Sequence, residues 1–213
     1  MQNHPIPSVT DPMQYRAIGI VRGTYVPSDE SKFTRGTLID SEGNQIDSVV
    51  LGRVITLMRR HIEIESPHLW VVYPRSRQAH NLHLQISGIW EPSTLDKEMK
   101  PLGLISESEE ESQQDELEEG DNFFSIRGEL IFTKPEKSEL IVRIRQRPNT
   151  QLKKGKSFKL FLQGEVPVIY LHHFVSFNVR REGQQLQLED YEVIESLPIK
   201  KAKKTMLSLE KNN

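Results

Sequence analysis

A short pattern recurs at an almost constant distance along the chain, and it restricts the architectures that the chain can form. Val21-Arg22-Gly23 in "AIGIVRGTYV" is matched 105 residues later by Ile126-Arg127-Gly128 in "FFSIRGELIF". A second block repeats at an offset of 104, where Trp70, Leu82, Leu84, Ile89 and Glu91 match Phe174, Leu186, Leu188, Val193 and Glu195. Two separated blocks that keep register within one residue indicate a single small module used twice.

The first copy of the module is predicted to contain five strands and one helix. The strand candidates are "YRAIGIVRGTYV", "FTRGTLID", "QIDSVVLG", "HLWVVYP" and "LHLQISGIW". Ser41-Glu42-Gly43-Asn44 is a good hairpin turn between the second and third strands. The apolar residues that follow the third strand have helical spacing, and they are Val54, Ile55, Leu57, Met58 and Ile62. The order β-β-β-α-β-β predicts a small OB-like barrel.

The second copy offers five strands and no clear helix: "FFSIRGELIFT", "ELIVRIRQR", "SFKLFLQG", "HHFVSFNVRR" and "LQLEDYEVIE". In both copies the glycine of the repeated Arg-Gly pair would let the first strand coil at a barrel corner, with the arginine lying across the outside of the barrel. The predicted fold class is therefore mainly β, with two tandem small OB-like β-barrel modules, the first with one helix, joined by an acidic linker. A compact β-sandwich remains an alternative, because short alternating strands suit both architectures.

Charge is segregated along the chain although the net charge is only −2. Residues 1–100 hold 11 basic and 11 acidic residues, residues 101–126 hold nine acidic and no basic residues, and residues 127–213 hold 17 basic and 10 acidic residues. The acidic segment repels itself and has few apolar residues, so it is predicted to be a disordered linker, with a solvated helix as the alternative. The uneven charge suggests a polyanionic partner, or a segment that imitates one.

These patterns give the following predicted organisation. Residues 1–13 form an extended N-terminal lead, residues 14–96 the first barrel, residues 97–121 the acidic linker, residues 122–198 the second barrel, and residues 199–213 a basic C-terminal tail.

A family resemblance covers roughly residues 14 to 198. The segments "ESPHLWVVYPR", "FFSIRGEL" and "FKLFLQG…HHFVSFNVRREGQQLQLED" resemble an uncharacterised protein family of cyanobacteria. The resemblance implies no established activity, and it assigns no functional residue to this chain.

The segment "LIVRIRQRPNTQLKKGKSFKLFLQG", residues 140–164, carries seven basic residues and no acid. Alternation along its first strand directs the leucine, valine and isoleucine side chains toward a core and the arginines to the opposite face. A row of cations beside an outward-pointing aromatic ring favours binding of single-stranded nucleic acid, because the bases stack on the ring while the cations contact the phosphate backbone. The predicted nucleic-acid-binding residues are Arg143, Arg145, Arg147, Lys153, Lys154, Lys156, Lys159 and Phe161, with Trp90 as the equivalent ring in the first module.

Several other classes of protein are disfavoured. No apolar run approaches the ~18 to 20 residues that a bilayer-spanning helix needs, and the N-terminus lacks the features of a signal peptide. Cysteine is absent, so thiolate chemistry is excluded and a reducing cytoplasm is the expected location. The seven histidines show no zinc-ligand pattern, and no catalytic motif is present. We therefore predict a cytoplasmic, non-enzymatic protein without a cofactor or a metal site.

The leading functional prediction is the binding of single-stranded nucleic acid, RNA ahead of DNA, through the basic face of the second barrel. The acidic linker could fold back and mask this face as a nucleic-acid mimic. The alternative is a protein-interaction or assembly adaptor that uses barrel edges and the acidic linker, in which case the cationic face meets an acidic protein partner. No membrane partner is expected, and the sequence does not give the oligomeric state.

Overall fold

The computed structural model describes residues 4–29, 33–61, 63–76, 81–91, 117–146 and 155–198. The first barrel consists of β1 (Arg16–Pro27), β2 (Arg35–Ile39), β3 (Gln45–Val50), α1 (Gly52–His61), β4 (His68–Ser76) and β5 (Leu82–Ile89). Its strands follow the closed order β1-β2-β3-β5-β4-β1, in which β3 and β5 are parallel. This is the predicted order of strands, with the helix between the third and fourth.

The second barrel repeats this topology. It consists of β6 (Phe123–Lys134), β7 (Glu139–Arg145), β8 (Ser157–Gln163), a 3₁₀ turn (Val168–Tyr170), β9 (His173–Glu182) and β10 (Gln185–Ser196). The strands close in the order β6-β7-β8-β10-β9-β6, and β8 and β10 are again the parallel pair. The 3₁₀ turn occupies the place in the chain that α1 has in the first barrel. The prediction of two tandem OB-like barrels, the first with one helix, is confirmed.

The repeated glycines occupy equivalent positions in the two barrels. A Cβ atom on Gly23 would lie 2.4 Å from the carbonyl oxygen of Ile39 at the end of β2, and one on Gly128 would lie 2.6 Å from the carbonyl oxygen of Arg143 in β7. Real Cβ atoms do not approach backbone so closely, so only glycine lets the first strand of each barrel coil tightly over the second. The pattern that indicated a repeated module thus marks the same corner in both barrels.

The barrels are joined into a single ten-stranded sheet. The N-terminal half of β1 pairs with the start of β6 in antiparallel register, from Arg16 opposite Arg127 to Gly19 opposite Phe124. Gly19 makes room for the aromatic ring of Phe124, because a Cβ atom at position 19 would lie 2.2 Å from that ring. As a result, buried side chains of both barrels belong to one continuous hydrophobic core.

The pairing of the barrels also explains why Arg127, the second of the repeated arginines, does not lie on the outside of its barrel as predicted. Arg127 does not lie across an open surface but is buried, because β1 and the N-terminal segment cover it. Its guanidinium donates to the hydroxyl oxygen of Ser176 at 2.8 Å and to the carbonyl oxygen of Pro12 at 2.7 Å. Arg22, by contrast, stays half-buried and donates from Nε to Asp121 at 2.9 Å.

A buried ion pair connects the two barrels at a second place. Arg181, at the end of β9, donates to a carboxylate oxygen of Asp40 in the β2–β3 turn at 2.6 Å. Both side chains are almost fully buried. Arg181 also donates to the side-chain oxygen of Asn122 at 2.7 Å and to the carbonyl oxygen of Gly183 at 2.8 Å, so its charge is well satisfied.

The segment before β1 is more than an extended lead. Ile6 is buried against Ile18, Ile20 and Leu69 in a second, smaller core cluster. The chain then turns between Asp11 and Gln14, where the Gln14 backbone N–H donates to the Asp11 carbonyl at 2.9 Å. The N-terminal segment therefore forms part of the folded surface beside β1.

The end of the predicted acidic linker packs on the first barrel. Leu117 joins the smaller core cluster, Glu119 lies 3.1 Å from His4, and Asp121 pairs with Arg22. Residues 97–116 of the linker and the predicted tail, residues 199–213, lie outside the described residues. No helix within the described ranges is long and apolar enough to cross a bilayer.

Candidate nucleic-acid interface

The cationic face predicted on the second barrel is formed by β7 and β8. Leu140, Val142 and Ile144 are buried in the core, while Arg143 and Arg145 point to the other face, with 39% and 48% of their side chains exposed. This alternation follows from the two-residue period of a strand. Both guanidinium groups are accessible to solvent.

Register between the strands adds a third cation to this face. Lys159 of β8 lies directly opposite Arg143, and Ser157 lies opposite Arg145. Residues directly opposite each other point to the same side of the sheet, so Arg143, Arg145 and Lys159 form one cluster. Lys156 is exposed just before β8. The other predicted site residues, Arg147, Lys153 and Lys154, lie outside the described residues.

One buried carboxylate partly neutralises the arginines. Glu129, opposite Arg143 in the register of β6 and β7, lies 3.2 Å from both the Arg143 and the Arg145 guanidinium groups. His172 Nδ1 is 3.6 Å from the same carboxylate. A single carboxylate shared by two guanidinium groups holds them in place and leaves positive charge for an anionic ligand.

An apolar row runs beside the cations on the same face. Phe132 of β6 pairs with Ile141 of β7, which in turn pairs with Phe161 of β8. Phe161 is half-buried rather than fully exposed, and Phe132 is 39% exposed. The sequence pattern missed Phe132 because a bulge between Leu130 and Phe132 interrupts the alternation of β6.

Trp90, the ring predicted to stack on bases in the first barrel, has different surroundings from Phe161. It is half-buried and packs against the smaller core cluster that contains Ile6, Ile18, Ile20 and Leu69. Because Ile6 of the N-terminal segment belongs to this cluster, the Trp90 ring takes part in packing beside that segment, and a stacking role for it stays a prediction.

A large cleft adjoins the cationic face where the two barrels meet. It has a volume of about 1190 Å³, somewhat above the ~300 to 1,000 Å³ of common ligand pockets. Its walls come from β1 and β4 of the first barrel, from β7 and β8 of the second, and from the N-terminal segment. Its basic lining residues are Arg16, Arg75, Arg143, Arg145 and Lys159, and the only acidic residue among its described lining is Asp11.

Aromatic rings lie among these cations. The Arg75 guanidinium carbon is 3.9 Å from the centroid of the Phe158 ring, and that of Arg145 is 5.4 Å from the centroid of the Tyr15 ring. Tyr73 also lines the cleft. Cations beside aromatic rings are the combination that single-stranded nucleic-acid sites use, so the candidate interface includes this cleft as well as the face of β7 and β8.

Burial changes the ionisation of groups in this cleft. Desolvation lowers the pKa of Arg75, and desolvation together with the neighbouring Arg127 lowers the pKa of Arg16. Burial raises the pKa of Tyr15 against the opposing effect of Arg145. Among the described residues, neither Arg16 nor Arg75 has a carboxylate partner. An anion in the cleft would compensate these charges.

Sequence reasoning found the β7–β8 cations but missed the contribution of the first barrel. Tyr73 and Arg75 alternate with the buried Val72 and Pro74 along β4, so their common face could be seen in the sequence. The sequence could not show that this face lies against β8. That contact depends on the pairing of β1 with β6, whose paired residues are more than one hundred positions apart in the chain.

Comparisons with known families agree with this architecture. Residues 17–97 match the N-terminal OB-fold domain of the PatR RNA-binding protein. Residues 126–195 match a family described as a cyanobacterial OB-fold-like RNA-binding domain, C-terminal. No curated protein matches the sequence.

The two matches fall one on each barrel and in the order in which the barrels occur, and together they cover more than two thirds of the chain. The resemblance to a cyanobacterial family is thereby confirmed, and both descriptions add RNA binding, which the resemblance did not imply. The first barrel thus matches the family described as the N-terminal OB-fold domain of the PatR RNA-binding protein, and the second matches the family described as a cyanobacterial OB-fold-like RNA-binding domain.

Proposed function

We propose that this protein binds single-stranded RNA through the outer face of β7 and β8, without catalysing a reaction. The observation that carries the proposal is the cluster of Arg143, Arg145 and Lys159 beside the row that contains Phe161. The second and third strands of an OB fold are a common surface for oligonucleotides. In this arrangement the cations contact phosphates while bases stack on the apolar row.

RNA is preferred over DNA in this proposal because both domain families are described as RNA-binding. A protein can distinguish the two through contacts with the 2′-hydroxyl group. We expect RNA to bind more tightly than DNA of the same sequence. A cytoplasmic location fits this role and remains a prediction from the cysteine-free composition.

The test is the salt dependence of binding in an Arg143→Gln, Arg145→Gln variant. Glutamine is chosen because its amide can still donate to Glu129, whereas two new glutamates would crowd three carboxylates together. Each phosphate contact on a single strand contributes about 0.7 to the slope of log affinity against log salt. Removing two contacts should lower affinity for a labelled oligonucleotide and reduce that slope by about 1.4.

A matched control replaces two exposed arginines of α1, Arg53 and Arg59, which do not line the cleft. The control changes the net charge equally and should leave the slope near that of the wild type. An unchanged slope in the Arg143 and Arg145 variant would show that the cationic face is not the binding site.

We also propose that the acidic segment competes with RNA for this face. Of its three described acidic side chains, Glu119 and Asp121 pair with His4 and Arg22, whereas Glu118 is exposed. Competition would therefore come from the run of acids between residues 107 and 116. Such competition requires direct contact, because attraction over more than about 8 Å is screened at physiological salt.

A protein-binding role has one observation in its favour. Val168 and Ile169, in the 3₁₀ turn of the second barrel, are 59% and 74% exposed. Exposed apolar residues of this kind often belong to protein interfaces. If this role predominates, the purified protein will carry a partner protein in stoichiometric amount. Replacing both Val168 and Ile169 with serine will then remove that partner. If RNA binding predominates, it will carry nuclease-sensitive absorbance at 260 nm.

A further inference from the structure

The cleft between the barrels contains a stacked pair that connects them. Arg75 belongs to β4 of the first barrel, and Phe158 belongs to β8 of the second. The guanidinium carbon lies 3.9 Å from the centroid of the ring, the distance of a direct stacking contact. Phe158 also packs against the main core, which restrains its ring.

We propose that Arg75, stacked on Phe158, is a base-stacking platform that directs an RNA strand from the face of β7 and β8 into the cleft between the barrels. This inference rests on the proposed function, and it extends the ligand path to the first barrel. It also makes the joint between the barrels part of the binding site.

The charge of Arg75 is available to a ligand. Its only hydrogen bond among the described residues is with the preceding residue, where Nη1 donates to the carbonyl oxygen of Pro74 at 2.8 Å. No described carboxylate pairs with it. A half-buried guanidinium without a counter-ion is unfavourable in the free protein, and a ligand carrying negative charge removes that cost.

The geometry favours a base over a phosphate as the group that Arg75 contacts. The Arg75 guanidinium packs against the Phe158 ring and also lines the cleft, so a planar group that enters the cleft can stack on it. Bases in single-stranded RNA stack on arginine planes as well as on aromatic rings. An arginine positioned to grip phosphate would instead direct its N–H groups, in the plane of the guanidinium, toward the anion.

Phosphate contacts are available on both sides of the platform. Lys159 lies opposite Arg143 on the outer face of the second barrel and also lines the cleft with Phe158, so it lies between that face and the platform. Arg16 lines the cleft on the side of β1, where its terminal nitrogens donate to the Pro7 carbonyl oxygen and the Ser125 hydroxyl oxygen, so a phosphate there would meet a guanidinium that is already held in place. A strand that stacks one base on Arg75 could therefore place phosphates near Lys159 and Arg16.

The test compares Arg75→Lys with wild type, since lysine keeps the charge but cannot stack as a plane. The probe is a single-stranded RNA of about 16 nucleotides, the upper end of the site size of one OB fold, with 2-aminopurine at successive positions. We expect Arg75→Lys to lower affinity by about 5-fold or more, as loss of one stacked base should. We also expect weaker quenching of 2-aminopurine at one position and an unchanged salt slope.

Two further variants separate stacking from folding. Phe158→Leu keeps apolar packing but removes the flat ring, and it should reproduce the loss of quenching. Arg53→Lys, at an exposed position of α1, should behave as wild type. Thermal unfolding of each variant checks that the barrels remain folded.

The outcomes distinguish this inference from the proposed function. Wild-type affinity and quenching in Arg75→Lys would overturn the platform, while binding through Arg143 and Arg145 could still stand. If the wild-type protein did not bind the RNA at all, the proposed function would fail and the platform with it.

Discussion

At the scale of single residues, Glu129 sets how much charge the face of β7 offers to a ligand. Its buried carboxylate lies 3.2 Å from both Arg143 and Arg145. A charge-assisted contact of this kind orients a guanidinium but also reduces its attraction for phosphate. The same residue therefore organises the proposed site and limits its affinity.

Replacing Glu129 with glutamine tests this balance. The amide keeps the shape of the side chain and removes the negative charge, so Arg143 and Arg145 become more available to phosphate. We expect tighter RNA binding in a fluorescence anisotropy titration at low salt, with a smaller gain at high salt because screening weakens the effect. Glu182→Gln, an exposed change at the end of β9, should have little influence. Weaker binding by Glu129→Gln would mean that orientation of the arginines matters more than their free charge.

The ion pair of Asp40 and Arg181 governs stability rather than binding. Desolvation alone would raise the pKa of Asp40, but hydrogen bonds from Arg181 and Asn44 outweigh it, so the pKa lies below its ordinary value of 3.8. The contribution of the ionised carboxylate to stability is therefore fully present above pH 3.8 and is lost as the pH falls through the lower pKa of the folded state.

Asp40→Asn should lower the free energy of unfolding by about 3–5 kcal/mol, because it leaves the buried Arg181 without a counter-ion. Urea denaturation at neutral pH measures this loss. The variant should also lose less stability than wild type on acidification below pH 3.8. Asp47→Asn, an exposed change in β3, is the control. Equal effects of the two substitutions would contradict a stabilising role for the buried pair.

At the scale of elements, the sequence predicts which residues share a face better than it predicts which faces meet. Leu140, Val142 and Ile144 alternate with the arginines because a strand repeats every two residues, and the structure has this alternation. The bulge in β6 and the approach of β4 to β8 depend on partners distant in the chain. Local periodicity carries no information about such partners, and so Phe132, Arg75 and Tyr15 were missed.

The acidic segment is the element whose effect on binding can be tested by deletion. Because Leu117 packs on the first barrel, a deletion of residues 105–116 spares the folded end of the segment. We expect this deletion to tighten RNA binding, since it removes carboxylates that would compete for the cationic face. Replacing the same residues with an uncharged Gly-Ser linker of equal length controls for the length of the connection. Affinity that stays the same or falls in both variants would refute competition by the segment.

At the scale of the whole molecule, two copies of one small barrel are fused into a single sheet. The pairing of β1 with β6 and the Asp40–Arg181 pair restrain the barrels relative to one another. This arrangement places the aromatic and basic residues of β4 against those of β7 and β8. The repeat in the sequence predicts the two barrels, whereas the cleft between them arises only from their association.

In the proposed complex, RNA lies along β7 and β8 and enters the cleft between the barrels. Ultraviolet crosslinking of the wild-type protein to single-stranded RNA, followed by mass spectrometry of the peptides, tests it most directly. We expect crosslinks within residues 139–163, around Phe158 and Phe161, and at Tyr15 or Tyr73 of the first barrel. Crosslinks confined to α1 and to the exposed 3₁₀ turn around Ile169 would contradict it.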